Sequence, residues 1–365
     1  MSAHHDASRP VTAPPPGERD DQPSATLRRL VVVGLGSIGR RHVRLLRERA
    51  DVRVEVCEIG ADALALAERE LGPLTRHADL ASALATQPDV VLIATPHELH
   101  ATQAIAAMHA GVDVFCEKPL CLDPAEARAM LTAAHETGRH LGVGFQLHFQ
   151  TAVRRMRELV NEGAIGRVVH AHARVGSFIT LRNSVSRYQA ALPGALLLDY
   201  AHQPDLMLWL LPGLPTAVSM TAVQAGALPL TSDPNLLSLT LEYGGTALAT
   251  IHLNYVQMPQ RHEWELVGED GWIVLDVDRG ELRLGRRSTE DEVRELLFTE
   301  RDDMYRREHQ AFIAALDGRR EFESPAESAM RSVELFAFAM QSWREGRRVE
   351  CQWQRLPARI PLCRV

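Results

Sequence analysis

Cysteine is scarce in this sequence and is not arranged for cross-linking. Five cysteines, an odd number, are present, and no two of them form a C-x-x-C pair; they are Cys57, Cys116, Cys121, Cys351 and Cys363. A disulfide framework is therefore not expected. The pattern predicts a protein of the reducing cytoplasm.

Long apolar runs and basic runs are also missing. No apolar stretch approaches the ~20 residues that a membrane-spanning helix needs. The net charge is −7 and the lysines and arginines are dispersed, which argues against nucleic acid or an anionic membrane as the main partner. Residues 1–28 contain three consecutive prolines and no apolar core, so we expect a disordered tail there.

What is present is enough chain for about two domains. Between residues 29 and 147, short apolar runs alternate with helical stretches, which predicts an α/β domain with a doubly wound parallel sheet. Between 148 and 365, most segments resemble strands with few helices between them. This pattern predicts an α+β domain with a mostly antiparallel sheet, closed by helices at 303–316 and 326–345.

A glycine-rich turn follows the first apolar run. Gly34, Gly36 and Gly39 fit G-x-G-x-x-G, in which the glycines allow a tight turn, close approach of a pyrophosphate, and close packing of helix on strand. The main-chain amides of Ser37 and Ile38 would then face the phosphates at the start of the helix. The pattern predicts a dinucleotide site, with a turn that binds no nucleotide as the alternative.

An acidic residue ends the next predicted strand. Glu58 lies 22 residues after Gly36 (58 − 36), where it can bind ribose hydroxyls and would repel a 2′-phosphate. The prediction is NAD rather than NADP. Arg40 and Arg41 are the opposing signal, because arginines attract that phosphate.

Two later segments offer groups that can move a proton. Lys118 follows a predicted strand, so it would point into the crevice where parallel sheets bind ligands. If the segment around His202 is helical, Asp199 shares a face with it, and the carboxylate would orient the imidazole. Pro204 should kink or restart that helix near Tyr200. The alternatives are a solvent-facing lysine and a hydrogen-bonded core histidine.

Together these segments resemble the glucose–fructose oxidoreductase/inositol dehydrogenase (Gfo/Idh/MocA) family over about residues 30–341. The resemblance rests on the Gly-rich turn, the Ala94-Thr95-Pro96 strand end and the Cys116-Glu117-Lys118-Pro119 segment, with His100 between them. It implies a Rossmann domain followed by an open-faced sheet that serves as substrate wall and oligomer surface.

The resemblance also implies roles for particular residues. Lys118 would contact both the nicotinamide ribose and the reacting hydroxyl, and Gln146 would lie near the nicotinamide. His202 would act as, or assist, the general base. Further residues would line the cofactor, namely Thr95, Pro96, His100 and Glu117.

Weaker candidates for substrate contact are His148, Arg174, Arg187 and Tyr188. Relatives often carry arginine at the position of His148. This histidine either faces the substrate or only ends a strand. His170 and His172 would face one side of a strand, and with no third ligand evident no metal site is expected.

The predicted function is an NAD-dependent dehydrogenase of a sugar, cyclitol or sugar derivative, with His202 and Lys118 sharing the acid–base work and Asp199 orienting His202. Two alternatives remain open at this point. One is a redox-neutral enzyme that oxidises a sugar transiently, and the other is a non-enzymatic NAD-sensing regulator. The expected partners are a small polyhydroxylated substrate and a second copy of the chain, as a homodimer or homotetramer.

Overall fold

The computed structural model describes residues 27–178, 180, 192, 194–226, 234–289 and 292–356. The predicted tail therefore lies almost wholly outside the described residues, as do Arg187 and Tyr188. Arg28, the last residue of that predicted tail, already belongs to the first strand.

The first unit is a six-stranded parallel sheet with helices on both faces. Its strands are β1 (Arg28–Val33), β2 (Val52–Cys57), β3 (Arg76–His77), β4 (Val90–Ile93), β5 (Asp113–Glu117) and β6 (Leu141–Gly144), in the order β3-β2-β1-β4-β5-β6. Its helices are α1 (Ser37–Leu46), α2 (Ala61–Leu71), α3 (Leu80–Ala85), α4 (His100–His109) and α5 (Pro124–Thr137). The central strand β4 is buried along its whole length, because helices cover both faces.

The strand order reverses between β1 and β4. In an open parallel sheet this reversal opens a crevice at the carboxyl ends of the strands, and ligands bind there. Two short 3-10 helices, His97–Leu99 and Gln146–Phe149, follow β4 and β6 at that edge. The predicted parallel sheet is confirmed.

The second unit is a nine-stranded sheet. Its strands are β7 (Val168–Gly176), β8 (Ala217–Val223), β9 (Leu236–Tyr243), β10 (Ala247–Asn254), β11 (Arg261–Gly268), β12 (Gly271–Asp276), β13 (Glu281–Arg286), β14 (Glu292–Leu296) and β15 (Val349–Glu350), in the order β14-β13-β12-β11-β7-β10-β9-β8-β15. The pairs are antiparallel except β7 with β10, which run parallel. The predicted mostly antiparallel sheet is confirmed.

Among the described residues after β6 there are five further helices: α6 (Thr151–Asn161), α7 (Ala195–Asp199), α8 (His202–Leu210), α9 (Arg301–Leu316) and α10 (Ala326–Glu345). Along β7, Ala171 and Ala173 pack in the core of this unit, while His172 and Arg174 alternate on the other, half-exposed face. The sheet is therefore covered on its apolar face and polar on its open face. Among the described helices, none combines the length and hydropathy needed to cross a membrane.

The last two helices return to the first unit. Phe312 and Ile313 of α9 pack with the core under β1 and β2, and Met330 and Val333 of α10 pack on the opposite face of the same sheet. The Val143 amide also donates to the carbonyl of Ser324 at 3.0 Å. The two C-terminal helices therefore pack against the first sheet although they follow the second sheet in the sequence.

Candidate active site

The turn after β1 leaves room for a ligand at one glycine and none at the others. Gly34 has a φ of +90°, and a Cβ there would lie 2.7 Å from the Ala94 carbonyl oxygen. A Cβ on Gly39 would lie 1.9 Å from the Gly34 carbonyl oxygen, whereas a Cβ on Gly36 would meet nothing within 4 Å. Because no side chain caps α1 at Gly36, the amides of its first turn face this open space. These features fit a pyrophosphate.

The acidic residue of the turn is tied to the main chain. The Glu58 carboxylate accepts the amides of Leu35 and Gly60, each at 2.7 Å. Each carboxylate oxygen keeps a second lone pair for a ribose hydroxyl. The next residue, Ile59, is 85 % exposed, which provides apolar surface beside the ribose position.

The two arginines of α1 that could attract a 2′-phosphate have other partners. Arg40 pairs with Glu70 at 2.7 Å and donates to the Leu35 carbonyl at 2.9 Å. Arg41 pairs with Asp302 at 3.3 Å. These pairings agree with a preference for NAD.

The ends of β4 and β5 are braced by one histidine. His100, only 1 % exposed, contacts the Thr95 carbonyl at 3.0 Å and the Pro119 carbonyl at 2.9 Å. Both ring nitrogens of His100 are therefore engaged with the main chain. The ring joins the Thr95-Pro96 turn to the turn that carries Lys118, and its contact with the cofactor stays a prediction.

The lysine reaches across to the second unit. Lys118 Nζ donates to the Asp199 carbonyl at 3.1 Å, and the following bond to Pro119 is cis. The Asp199 carboxylate accepts a hydrogen bond from the Tyr255 hydroxyl. Lys118 is thus held next to the segment that carries His202.

That segment is two helices rather than one. α7 ends at Asp199 and α8 begins at His202, so the break near Tyr200 expected from Pro204 is present. The predicted common helix face of Asp199 and His202 is wrong for the same reason. The Asp199 carboxylate binds Tyr255, and within the described chain His202 Nδ1 has no hydrogen-bond partner.

His202 is buried and neutral. Its side chain is 7 % exposed and its ring lies edge-on to Phe145 at 5.5 Å. Burial lowers the pKa of His202 well below its usual 6.5, and the nearby charges of Lys118 and His148 lower it further. A neutral imidazole can accept a proton.

Two glutamines add unsatisfied polar atoms to this region. The side-chain oxygens of Gln146 and Gln203 are buried and have no hydrogen-bond partner among the residues described. The Gln203 amide nitrogen contacts His262 of β11 at 3.1 Å. Because buried polar atoms are rarely left unpaired, these oxygens indicate groups that a bound ligand would satisfy.

The remaining candidates lie elsewhere. His148, 1 % exposed, contacts the Asp205 carboxylate through Nε2 at 2.5 Å and packs against Trp209. Its Nδ1 is buried and has no hydrogen-bond partner among the described residues, and its contact with substrate stays a prediction. Arg174 pairs with Glu263 on the open face of the second sheet, whereas His262 and α8 are on the covered face. Strand alternation therefore places Arg174 on the wrong side for substrate.

Several residues near the site were not predicted. His97 lies close enough to Lys118 for that charge to contribute to lowering its pKa, after burial. Tyr255 binds Asp199, and the buried His42 of α1 contacts Glu117, itself predicted to line the cofactor, at 2.8 Å. The sequence offered two signals, His97 two residues after Thr95 and His42 three residues after Gly39. Neither spacing by itself indicates which residue the histidine contacts. In the ranges that the structure covers, no group of three or more His, Cys, Asp or Glu side chains is arranged to hold a metal ion.

Comparison with known proteins gives two family matches in chain order. Residues 28–145 match the profile described as "Oxidoreductase family, NAD-binding Rossmann fold". Residues 153–274 match the "GFO/IDH/MocA C-terminal domain". Together the matches cover the whole first sheet and the second sheet from β7 into β12.

Similar curated proteins include two inositol dehydrogenases and a hydratase. Inositol 2-dehydrogenase of Rhizobium meliloti is 26 % identical over 88 % of this chain and 98 % of its own. Inositol 2-dehydrogenase 3 of Saccharopolyspora erythraea is 29 % identical over 68 % of this chain and 72 % of its own. 2,7-Anhydro-N-acetylneuraminate hydratase of Escherichia coli is 26 % identical over 70 % and 69 %.

Among solved structures, the WlbA dehydrogenase of Bordetella pertussis in complex with NADH and UDP-GlcNAcA superimposes with a TM-score of 0.77 at 21 % identity, over 91 % of this chain and 99 % of that one. This likeness shows the fold. The fold, the turn at Gly34–Gly39 and both profile matches agree, and the chain belongs to the Gfo/Idh/MocA family of NAD-binding oxidoreductases.

Proposed function

We propose that this protein is an NAD-dependent dehydrogenase that acts on a ring carbinol, or the corresponding ketone, of a sugar, cyclitol or sugar derivative. One observation carries the proposal: Lys118 Nζ donates to the carbonyl of Asp199, three residues before the buried His202, and the charge of Lys118 contributes to lowering the pKa of His202. The inositol dehydrogenases among the similar proteins support the class of substrate.

The residues of the crevice fit the cofactor. The turn with open space at Gly36 would receive the pyrophosphate, and Glu58 would bind the adenosine ribose. Ile59 would contact the adenine, and the unpaired oxygen of Gln146 would accept from the nicotinamide amide. When NAD is bound, its nicotinamide ring supplies the acceptor for the hydride that leaves the carbinol carbon.

The acid–base work falls to the lysine and the histidine. His202, neutral because of burial, would take the proton of the substrate hydroxyl. The Lys118 ammonium would donate a hydrogen bond to the same oxygen and stabilise the negative charge that develops there. The two groups interact, so we assign the proton acceptor to the pair. Asp199 would be a positioning residue. Its carbonyl accepts from Lys118 and holds the ammonium in place, while its carboxylate is anchored by the Tyr255 hydroxyl.

A second candidate is a redox-neutral reaction with transient oxidation. The similarity to the hydratases of Mediterraneibacter gnavus and Escherichia coli favours it. Such an enzyme would use the same cofactor and the same pair but accumulate no NADH. A catalytic amount of NAD would then suffice for complete conversion of the substrate, whereas a dehydrogenase consumes NAD in a one-to-one ratio.

The role of the pair is tested with Lys118→Met and His202→Gln. Each variant should lower kcat by about 10²- to 10⁴-fold, the usual contribution of a positioned acid–base group, while the Kd for NAD stays within about threefold. The matched control is His172→Gln, a histidine on the open face of the second sheet, which should leave kcat unchanged. Near-normal turnover in either Lys118→Met or His202→Gln would remove that residue from the mechanism.

A further inference from the structure

A buried chain of hydrogen bonds leads from the turn that carries Lys118 into the interior of the protein. Glu117, 6 % exposed, accepts the Lys118 amide at 3.1 Å through Oε2 and contacts His42 Nε2 at 2.8 Å through Oε1. His42 Nδ1 contacts His309 Nε2 at 2.7 Å. His42 belongs to α1, and His309 belongs to α9, which lies more than 250 residues later in the sequence. None of these three side chains is exposed by more than a few per cent, and the acid–base pair does not use His42 or His309.

The proton positions along this chain follow from the donors and acceptors. Burial lowers the pKa of His309 well below its usual value, so His309 is neutral. A carboxylate can only accept, so His42 donates from Nε2 to Glu117. In the tautomer with the His42 proton on Nε2, His42 Nδ1 accepts from His309 Nε2–H. This arrangement leaves His309 Nδ1 as a bare acceptor, and that atom has no hydrogen-bond partner in the described part of the chain.

A second carboxyl, that of Glu308, lies near Glu117. Glu308 is fully buried next to this chain, and neither of its oxygens has a hydrogen-bond partner within the described ranges. Burial raises the pKa of Glu308 well above its usual value, and the charge of Glu117 raises it further. Glu308 is therefore a neutral acid and adds no charge of its own beside the Glu117 carboxylate.

The position of that charge relative to the cofactor follows from the sheet order. The turn after β1 would hold the pyrophosphate, and Glu58 at the end of β2 would hold the adenosine ribose. The other nucleotide must then extend in the opposite direction, over the ends of β4, β5 and β6. Glu117 is the last residue of β5, so the charge lies below the nicotinamide half.

We propose that the His42–His309 chain holds Glu117 as a fixed, buried carboxylate, and that its charge makes the site prefer the cationic, oxidised nicotinamide over the neutral, reduced one. The inference rests on the proposed function in that it requires the cofactor to bind. His42 and His309 are positioning residues here, and they act through Glu117. A buried charge acts strongly on a neighbouring cation because little water screens it.

The test measures the Kd for NAD⁺ and for NADH with the full-length protein, by titration calorimetry. Glu117→Gln removes the charge and should move the ratio of the two Kd values by about tenfold or more in favour of NADH. His309→Leu removes the donor to His42 and should move the ratio in the same direction by a smaller factor. His309→Gln is the matched control, because an amide can still donate to His42 Nδ1, and it should keep the wild-type ratio.

The outcomes separate this inference from the proposed function. Binding of neither cofactor form by the wild type would overturn the proposed function itself. Intact binding with the same ratio in Glu117→Gln and the wild type would overturn only the role of the charge. If Glu117→Gln does not fold, the His309 pair decides: equal ratios in His309→Leu and His309→Gln would overturn the proposal.

Discussion

At the scale of single residues, the site is organised by buried side chains that pair over long distances in the sequence. His148 and Asp205 are 57 residues apart and form a contact of 2.5 Å. Ser332 of α10 donates to the other Asp205 oxygen at 3.3 Å. The pair therefore joins the 3-10 helix after β6 to α8 and α10, and it stabilises the helix that begins at His202.

Asp205→Ala should lower the free energy of unfolding by about 3 kcal/mol, because it removes the buried carboxylate and leaves His148 Nε2 without its partner. Ser332→Ala is the control: it removes only the longer hydrogen bond and should cost about 1 kcal/mol or less. Urea unfolding of both variants and the wild type checks this. Equal losses in the two variants would contradict the importance of the pair.

The residues of the site could be predicted from the sequence only where their role is local. Gly34, Gly36 and Gly39 were predictable because the turn depends on backbone geometry within six residues. Lys118 was predictable because it follows a strand end. The contacts of His42 with His309 and of Tyr255 with Asp199 span 267 and 56 residues. No spacing in the sequence indicates such contacts, since they depend on how distant helices pack.

At the scale of elements, the turn between β1 and α1 has one glycine that the fold requires, Gly39, and another, Gly36, that only ligand binding requires. The Cβ of an alanine at Gly39 would overlap the Gly34 carbonyl oxygen, 1.9 Å away, and force helix and strand apart. An alanine at Gly36 would meet no protein atom within 4 Å, at a φ of −60° that any residue adopts. Its methyl group would instead occupy the space that we assign to the pyrophosphate.

Gly36→Ala should therefore fold with a wild-type Tm and lose NAD affinity by about tenfold or more, as steric exclusion from a phosphate site would require. Gly39→Ala should lose stability by about 2 kcal/mol or more through overpacking. Thermal unfolding and calorimetric NAD titration distinguish the two. A stable Gly36→Ala that binds NAD normally would rule out this turn as the cofactor site.

Elements with a clear hydrophobic pattern were also predictable, and elements without one were not. The buried strand β4 and the alternating strand β7 both have the expected pattern. The edge strand β14 has no buried side chain on either face, so its sequence carries no alternation. The two-residue strands β3 and β15 are too short to give any pattern at all.

At the scale of the whole molecule, neutral histidines buried between the elements link stability to pH. Burial lowers the pKa of His202 and His309 well below 6.5, and it lowers the pKa of His262 to about 4. The unfolded chain binds protons at these positions near pH 6.5, while the folded chain does not. Stability is therefore complete above pH 6.5 and falls as the pH drops towards the folded pKa.

We expect the free energy of unfolding to decrease between pH 6.5 and pH 4, with each of these histidines adding up to about 1.4 kcal/mol per pH unit. His262→Gln removes one such group and keeps an acceptor for Gln203. The variant should have a correspondingly shallower slope, measured by urea unfolding at several pH values. A slope identical to that of the wild type would show that His262 is not held neutral by the fold.

The most direct test of the account is the near-ultraviolet absorbance of NADH when the protein is mixed with NAD and a panel of cyclitols, sugars, sugar acids and nucleotide sugars. We predict a rise in absorbance with at least one ring carbinol, at a rate that falls by at least about 10²-fold in His202→Gln. Absence of any NADH formation across the panel, in single-turnover as well as steady-state mixtures, would contradict hydride transfer at this site.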